Sequence, residues 1–300
     1  MRYFPIISHS IYDFIEKSHY QKIISKNGYL KINLKRLGFL NEENLFSPKP
    51  IEKATILLTH SKCYVDKVFY DKLSKNELRL IGLKPFKYFK NRSVISAGGT
   101  LLASYFALEK GIAFNLAGGS HHAFKNFGAG FCIFNDIAIT INKLLSTKKI
   151  KNALIIDLDV HQGDGNAKIF SDNFNVHTVS LHCNENYPFT KLNSDYDIGL
   201  KKGTGDSRYI YMLEKTLEKL ETASFDIVFY IGGVDVHYLD RLGLLNLSTK
   251  GLRERELRVM KFIKKKNVPL VVTLGGGYNN NLRFLADLHT FIFKAIYEIK

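Results

Sequence analysis

The chain has 300 residues, of which 45% are hydrophobic and 24% are charged. That composition is typical of a globular protein and excludes the disordered and fibrous classes. Lys and Arg total 43 against 28 for Asp and Glu, so the formal net charge is +15. A basic surface can attract nucleic acid, anionic membranes or acidic proteins, but a Lys-rich surface without a dedicated partner has the same charge.

The cysteines and the longest apolar runs indicate the compartment. Cys63, Cys132 and Cys183 are far apart and form no CxxC pair, so they predict neither a disulfide framework nor a thiolate zinc site. The N-terminal apolar run is too short for a signal peptide, and no later stretch approaches the roughly 18 apolar residues of a membrane span. We therefore expect a soluble, cytoplasmic protein with no membrane partner.

The predicted elements alternate between strands and helices along the chain. In the first hundred residues, TILLTH (55–60) is predicted as a strand and a helix is expected from about Gly99. Further strands are predicted at 112–119, 153–160, 176–182, 226–233 and 269–277, and helices at 135–145, 208–220 and 249–266. Nearly continuous apolar strands between amphipathic helices indicate an α/β fold with a mostly parallel sheet and helices on both faces. No linker divides the chain, so we expect one domain over residues 1–300.

Polar residues follow four of these strands, where an open parallel sheet binds its ligands. They are His121 and His122, then Asp157, Asp159, His161 and Asp164, then Asp235, and finally Tyr278. Asp159 and His161 are two residues apart and can point the same way, and Asp235 can supply a third ligand. Three O and N ligands leave one position open for water, as in a catalytic metal site. Zn²⁺ is the first expectation, with Fe²⁺ or Co²⁺ as alternatives.

The remaining polar groups suit proton transfer. Asp157 and Asp164 can each accept a hydrogen bond from the Nδ1 atom of one histidine, which fixes the tautomer of the ring and raises its basicity. Taken singly, an Asp-x-His pair or a loop histidine is more often structural than catalytic. The convergence of these residues on one edge of the sheet favours the catalytic interpretation.

Five ordered motifs resemble the zinc-dependent histone deacetylase family of the arginase/deacetylase fold. They are GGSHHAF, GAGFCIFND, DLDVHQGDG, GGVD and LGGGYN, and they run from Gly118 to Asn279. Looser similarity extends back to about His60 and is greatest to the bacterial branch related to class IV deacetylases. The first fifty or so residues depart from the pattern of the family.

The resemblance implies a role for each candidate residue. Asp159, His161 and Asp235 would bind zinc, and Tyr278 would donate its hydroxyl to the substrate carbonyl. His122, paired with Asp164, would be the general base, and His121, paired with Asp157, would stay cationic. Gly130 and Phe131 would line an acyl-lysine tunnel, with Tyr187 or Phe189 on the opposite wall. A structural K⁺ or Na⁺ would be bound by the main-chain oxygens of Asp157, Asp159, His161 and Leu181 and by the Ser180 hydroxyl.

The expected activity is metal-dependent hydrolysis of an acylated lysine in a protein or peptide, or of an acylated polyamine or other small amine. One alternative is a guanidine or amidine hydrolase of the same fold with two Mn²⁺ ions. Such enzymes usually carry Asp-x-His-x-Asp, whereas the order here is Asp-x-Asp-x-His. The other alternative is a non-catalytic basic protein that binds nucleic acid or chromatin. No nucleic-acid-binding motif supports it, so specific nucleic-acid binding is not expected.

Overall fold

The computed structural model describes residues 4–18, 21–84 and 86–299, without the side chains of residues 16–22. The strands in this part of the chain are β1 (Ile6–Ile7), β2 (Phe14–Ser18), β3 (Gln21–Ile24), β4 (Leu45–Phe46), β5 (Ile112–Asn115), β6 (Ala153–Asp157), β7 (Val176–Cys183), β8 (Tyr196–Leu200), β9 (Val228–Ile231) and β10 (Leu270–Thr273). Strands β2 and β3 form an antiparallel pair. The other eight form one sheet in the order β4-β1-β5-β10-β9-β6-β7-β8, and every pairing in it is parallel.

Helices connect these strands. The same residues contain α1 (Ser10–Asp13), α2 (Lys26–Arg36), α3 (Lys53–Ile56), α4 (Lys62–Phe69), α5 (Lys75–Ile81), α6 (Phe86–Lys110), α7 (Asp136–Ser146), α8 (Asp164–Phe170), α9 (Asp206–Lys219), α10 (Thr249–Lys266) and α11 (Leu282–Glu298). Within the described residues, no helix is both long enough and apolar enough to cross a membrane.

The central strands are apolar on both faces because helices cover both faces. Leu154 and Ile156 of β6 belong to a core shared with α2, α9, α10 and α11. Ile155, between them, belongs to the opposite core, which α6, α7 and α8 complete. Alternate side chains of a strand point to opposite faces, so each central strand contributes to both layers. The structure confirms the predicted α/β fold with a parallel sheet.

The five strands predicted after residue 110 and the three predicted helices are all present. Four of them end earlier than predicted, since the chain leaves the sheet soon after the apolar run, whereas β7 extends one residue beyond the prediction, to Cys183. Strand β10, for example, ends at Thr273, whereas the prediction extended to residue 277.

The predicted strand at 55–60 is wrong. Residues Lys53–Ile56 form α3, and a turn follows it. The run ILL suggests a strand buried on both faces, but Ile56 is buried while Leu57 and Leu58 are exposed. Only one of the three consecutive apolar side chains therefore enters the core, which a single helical turn achieves.

The helix expected from about Gly99 begins at Phe86 and extends to Lys110. A Gly-Gly pair often marks a helix boundary, but Gly98 and Gly99 lie inside α6. Glycine occurs there because other parts of the chain pack closely against this part of the helix. A Cβ atom at Gly98 would lie 2.0 Å from the Lys49 carbonyl oxygen, and one at Gly99 would lie 2.9 Å from the Asn115 side chain. The glycines allow the packing of α6 and do not end it.

Candidate active site

The functional residues collect at the carboxyl ends of β5, β10, β9 and β6, which are adjacent in the sheet. Residues 118–122 follow β5, 157–164 begin at the end of β6, 232–235 follow β9, and 275–278 follow β10. The structure therefore brings to one edge all four polar segments that the sequence places after strands.

Three buried side chains form a candidate metal centre. Asp159, His161 and Asp235 each offer a ligand atom, and these atoms all lie within 4.8 Å of one another. His161 Nδ1 is 3.0 Å from Asp159 Oδ1 and 3.4 Å from Asp235 Oδ2. The other carboxylate oxygens accept hydrogen bonds from Gly276 N, at 2.7 Å, and Val160 N, at 2.9 Å. One oxygen of each aspartate is thus held by backbone, and the second faces His161.

The cluster fits a small divalent cation. Ligand atoms at about 2.0–2.1 Å from a tetrahedral ion lie roughly 3.3 Å apart, close to the separations found here. Asp235 Oδ2 is buried and has no hydrogen-bond partner among the described residues, and an unpaired buried carboxylate oxygen is costly. Burial lowers the pKa of His161, but Asp159 and Asp235 outweigh it and raise that pKa to about 10. Burial and the charge of Asp159 raise the pKa of Asp235 to about 6. The carboxylates of Asp159 and Asp235 thus favour a positive charge between them, so these two residues and His161 can hold a metal ion.

Glycine is required where the backbone passes behind these carboxylates. A Cβ atom at Gly276 would lie 1.8 Å from Asp235 Oδ2, and one at Gly233 would lie 2.5 Å from Asp159 Oδ2. No side chain fits at such distances. The glycines after β9 and β10 therefore allow two backbone segments to enclose the ligands.

Two histidine–aspartate pairs lie beside the metal ligands. His121 Nδ1 is 2.7 Å from Asp157 Oδ2, and His122 Nδ1 is 2.6 Å from Asp164 Oδ1. All four side chains are buried, and the two rings have centroids 4.0 Å apart. Each carboxylate accepts a hydrogen bond from Nδ1 and leaves Nε2 of that ring free to act on a substrate or water.

The two histidines differ in charge although their partners are alike. Burial lowers the pKa of His121, but Asp157 and Asp159 outweigh burial and raise it to about 9. Burial and the neighbouring His121 lower the pKa of His122 to about 4, against the attraction of Asp164. Two adjacent rings cannot both carry a proton cheaply, so the one nearer to the surplus of carboxylates keeps it. The surroundings of the two rings therefore favour a proton on His121 over one on His122.

Tyr278 lies beside His161. Its ring centroid is 6.1 Å from that of His161, and its backbone N–H donates to Asp240 Oδ2 at 2.7 Å. Burial and the nearby carboxylates raise the pKa of the phenol. The hydroxyl therefore remains protonated and can donate a hydrogen bond.

Aromatic side chains surround the opening to the site. Phe131 is 46% exposed and its ring centroid is 5.8 Å from that of Tyr278. Tyr187 packs edge to face against His122, with centroids 4.9 Å apart. Gly130 packs closely against His122 and Tyr187, because a Cβ atom there would be 2.5 Å from the His122 ring and 2.9 Å from Tyr187. Phe189 is 90% exposed, whereas Tyr187 is partly buried beside His122, so Tyr187 is the better placed of the two to line the site.

The residues expected to bind a monovalent cation lie on β6, on the segment that follows it and on the neighbouring strand β7. Asp157 of β6 pairs in register with Ser180 of β7, and Leu181 is the next residue of β7. The Ser180 hydroxyl lies 3.1 Å from His182 Nδ1 and accepts from Gly163 N at 3.4 Å. The structure thus brings Ser180 and Leu181 beside the 157–161 segment.

Several residues that support the site were missed from the sequence. Asp136 accepts hydrogen bonds from Ser120 N at 2.8 Å and Gly119 N at 3.2 Å, which fixes the turn before the two histidines. Arg255 of α10 donates to the carbonyl oxygens of Leu158, at 3.1 Å, and Gly233, at 2.7 Å. Asp136 ends the motif GAGFCIFND and could have been proposed from it. Arg255 lies on an otherwise ordinary amphipathic helix, and no local signal marks it.

Comparison with known proteins agrees with this geometry. Residues 23–293 match the histone deacetylase domain. The chain is 37% identical over 297 residues to an uncharacterized protein of Picosynechococcus, covering 99% of both chains. It is 34% identical over 265 residues to histone deacetylase 2 of Arabidopsis thaliana, covering 83% of this chain and 67% of the other. The solved structure of a histone deacetylase homologue from Aquifex aeolicus has a TM-score of 0.81 at 26% identity, covering 99% of this chain and 84% of that one.

The parallel sheet and the polar groups at its carboxyl edge define an α/β protein of the arginase/deacetylase-like fold class. Within that class, the chain belongs to the histone deacetylase family. It is an amidohydrolase of the deacetylase or deacylase type.

Proposed function

We propose that this protein is a zinc-dependent, cytoplasmic deacylase that hydrolyses the amide of an acylated lysine in a protein or peptide, or of an acylated small amine such as a polyamine. The observation that carries the proposal is that candidate metal ligands, candidate proton-transfer groups and a phenol donor lie next to one another. A buried Asp-His-Asp cluster, two histidine–aspartate pairs and Tyr278 surround a space that opens between aromatic walls. Amide hydrolysis needs an electrophile, a base and a donor to the developing oxyanion, and this set supplies all three.

Asp159, His161 and Asp235 would hold the zinc ion. When bound, the ion would polarise the substrate carbonyl and lower the pKa of the attacking water. The donor set of one imidazole and two carboxylates suits Zn²⁺, with Fe²⁺ or Co²⁺ as alternatives. The two aspartates are positioned in advance, because Gly276 N and Val160 N hold one oxygen of each.

The neutral His122 is the general base. Its Nε2 takes a proton from the attacking water, and the hydrogen bond from Nδ1 to Asp164 stabilises the imidazolium that forms. His121 is already protonated by its pairing with Asp157, so it supplies positive charge where negative charge develops. The opposite pKa shifts of the two rings thus suit His122 to accept a proton and His121 to provide a positive charge.

Tyr278 donates its hydroxyl to the carbonyl oxygen of the substrate. A phenol held close to a developing oxyanion stabilises the transition state more than the ground state. Between Phe131 and Tyr187, the apolar stem of an acylated lysine or a linear amine passes while its carbonyl reaches the metal ligands. A narrow passage between two rings favours a linear chain over a branched one.

We also propose that K⁺ or Na⁺ binds beside the metal centre. The ligands are the main-chain oxygens of Asp157, Asp159, His161 and Leu181 together with the Ser180 hydroxyl. The register of β6 against β7 supports this proposal, because it sets Ser180 directly across from Asp157. A cation there would fix the carbonyls of the segment that carries two zinc ligands.

The arrangement favours one transition metal over two. Within the described part of the chain, the cluster of three close ligand groups is Asp159, His161 and Asp235. The other nearby acids, Asp157 and Asp164, are engaged by His121 and His122. A binuclear guanidine hydrolase would need those acids as metal ligands.

The test measures turnover and metal content together. Purified protein is loaded with Zn²⁺ and assayed on an acetyl-lysine peptide and on an acetylated polyamine, with Tyr278→Phe, His161→Ala and a control variant, His177→Ala, whose ring packs against Phe225. We expect one zinc ion per chain and hydrolysis of at least one substrate. Tyr278→Phe should retain zinc and lose activity by about 10²- to 10³-fold, and His161→Ala should lose both. Two metal ions per chain, or full activity in His161→Ala, would contradict the proposal.

A further inference from the structure

A cavity of about 180 Å³ adjoins the active site. Tyr278, Asp159 and His121 contribute to its wall, and so do Lys26 of α2 and Arg92 of α6. The same cavity therefore reaches from the groups that act on the carbonyl to two cations. An acyl group whose carbonyl lies beside Tyr278 has room to extend into it.

The two cations have few partners. Lys26 Nζ donates to the Gly275 carbonyl oxygen at 2.9 Å, and Arg92 Nη2 donates to Asn27 Oδ1 at 3.3 Å. Both acceptors are neutral, and among the described residues neither cation forms an ion pair with a carboxylate. Lysine carries three N–H donors and arginine five, so most of their donors are not used by the protein.

Other features of the cavity are also those of an anion site. Ser93 lines it, and its hydroxyl oxygen is buried without a hydrogen-bond partner among the described residues. Burial lowers the pKa of Lys26 to about 8 although Asp235 and Asp159 favour its charged form. An acetyl group has only a methyl group beyond its carbonyl, so it offers no partner to two cations and an unpaired hydroxyl. A carboxylate would satisfy all three, and arginine binds carboxylates with two parallel hydrogen bonds.

Building on the deacylase function proposed above, we propose that this cavity receives the distal carboxylate of a dicarboxylic acyl group, such as succinyl, with Arg92 and Lys26 as its cationic partners. The reaction is the same amide hydrolysis. The water oxygen bonds to the carbonyl carbon next to nitrogen, the C–N bond breaks, and the leaving nitrogen gains a proton. The products are a free amine and a dicarboxylate, and the distal carboxylate is unchanged throughout.

The experiment compares the short acetyl group with three longer acyl groups of equal length on one lysine peptide. Zinc-loaded protein is assayed on acetyl-, pentanoyl-, succinyl- and succinamoyl-lysine, the last being the uncharged amide isostere of succinyl. We expect kcat/KM for succinyl to exceed that for pentanoyl and succinamoyl by about 10- to 100-fold, the value of a charge-assisted hydrogen bond. Arg92→Gln should remove most of this preference. The control is Arg283→Gln. Arg92 lies over the ring of Tyr12, at 5.6 Å from its centroid, and Arg283 lies over that of Tyr29, at 5.2 Å, but Arg283 is exposed and outside the cavity.

A binding measurement makes the result independent of turnover. Succinate should raise the Tm of the wild-type protein in a concentration-dependent way, and its uncharged diamide, succinamide, should not. The rise should be much smaller in Arg92→Gln and in Lys26→Met, and the second variant serves if the first does not fold. If acetyl-lysine is hydrolysed while succinyl is no better than pentanoyl, the inference is overturned and the deacylase function stands. If no substrate is hydrolysed, the proposed deacylase function is wrong. In that case, a rise in Tm with succinate that depends on Arg92 still supports the anion site. The absence of such a rise overturns the anion site.

Discussion

Two clusters of buried charge lie next to each other under the carboxyl edge of the sheet, and they are balanced differently. In one, the fully buried Arg255 pairs with Glu256, and Glu256 also accepts a hydrogen bond from the Tyr230 hydroxyl at 2.8 Å. In the other, two carboxylates share a single imidazole, and Asp235 Oδ2 has no hydrogen-bond partner among the described residues. The first cluster is complete without a ligand, whereas the second has a surplus of negative charge.

The difference separates a structural cluster from a functional one. A buried ion pair with all donors and acceptors used adds rigidity, and breaking it leaves one charge uncompensated. A buried cluster with unbalanced charge costs free energy until a counter-ion binds. Arg255 connects the two clusters, because it also donates to the carbonyls of Leu158 and Gly233, which lie beside the metal-ligand segments. The balanced cluster therefore supports the backbone that carries the unbalanced one.

The largest expected effect comes from removing charge from the unbalanced cluster. Asp235→Asn should lower the rate of amide hydrolysis by about 10³-fold or more, because several kcal/mol of metal-derived transition-state stabilisation is lost. The same change should leave the Tm of the metal-free protein unchanged or raise it, since it removes repulsion between Asp235 and Asp159. Activity, zinc content and thermal unfolding of the metal-free protein check both parts. A clear fall in the Tm of the metal-free variant would mean that the cluster is structurally balanced after all.

The balanced cluster should respond in the opposite way. Arg255→Met leaves Glu256 buried without its cation, so the free energy of unfolding should fall by about 3–5 kcal/mol. The matched control is Arg253→Met, two residues earlier on α10, where the ion pair with Glu298 is about half exposed and is worth about 1 kcal/mol or less. Denaturant unfolding measures both variants. Equal losses for the two arginines would show that burial does not distinguish them.

A third buried group, His60, is uncharged and can be compared with the two charged clusters. One ring nitrogen lies 2.9 Å from the Phe124 carbonyl oxygen, and the other accepts from Asn135 N at 3.0 Å, so the ring must be neutral to make both bonds. Burial lowers its pKa to about 4, below the value of about 6.5 in an unfolded chain. Stability is therefore fully present above pH 6.5 and falls as the unfolded state takes up a proton below it, by roughly 2 kcal/mol between pH 7.5 and pH 5.

The measurement is denaturant unfolding of the wild type and of His60→Gln at several pH values. Titration of all other groups is common to both proteins, so the difference between their curves reports His60. The wild type should lose more stability than the variant on acidification. Parallel curves would show that His60 tolerates a proton, and that burial alone does not penalise charge in this core.

The site could be predicted from the sequence because its ligands are local. Asp159 and His161 are separated by one residue, and Asp235 and Tyr278 lie a few residues beyond buried strands whose apolar character is easily recognised. The parallel sheet then brings these ends together. By contrast, Lys26 and Arg92 come from helices in the first hundred residues, where apolar periodicity is weak, and only the tertiary fold brings them to the cavity.

Some other elements of the fold could not be predicted from the sequence, for physical reasons. Strands β1 and β4 have two residues each, too few for any periodicity to appear. The run ILL after residue 55 forms part of a helix and a turn because only Ile56 enters the core. Helix α11 was missed although it has apolar spacing and an Asn281 side chain that accepts from Phe284 N, so its signal was present in the sequence and was not used.

The close approach of Gly276 and Gly233 to the carboxylates also limits how the enzyme can change. Any larger residue at these two positions would displace Asp235 or Asp159, so the floor of the site is closed to adaptation by single substitutions. The opening is different: Phe131 is exposed there and holds no metal ligand in place. New substrate ranges are therefore accessible to this scaffold mainly by altering the loops around the opening, while the reacting groups stay the same.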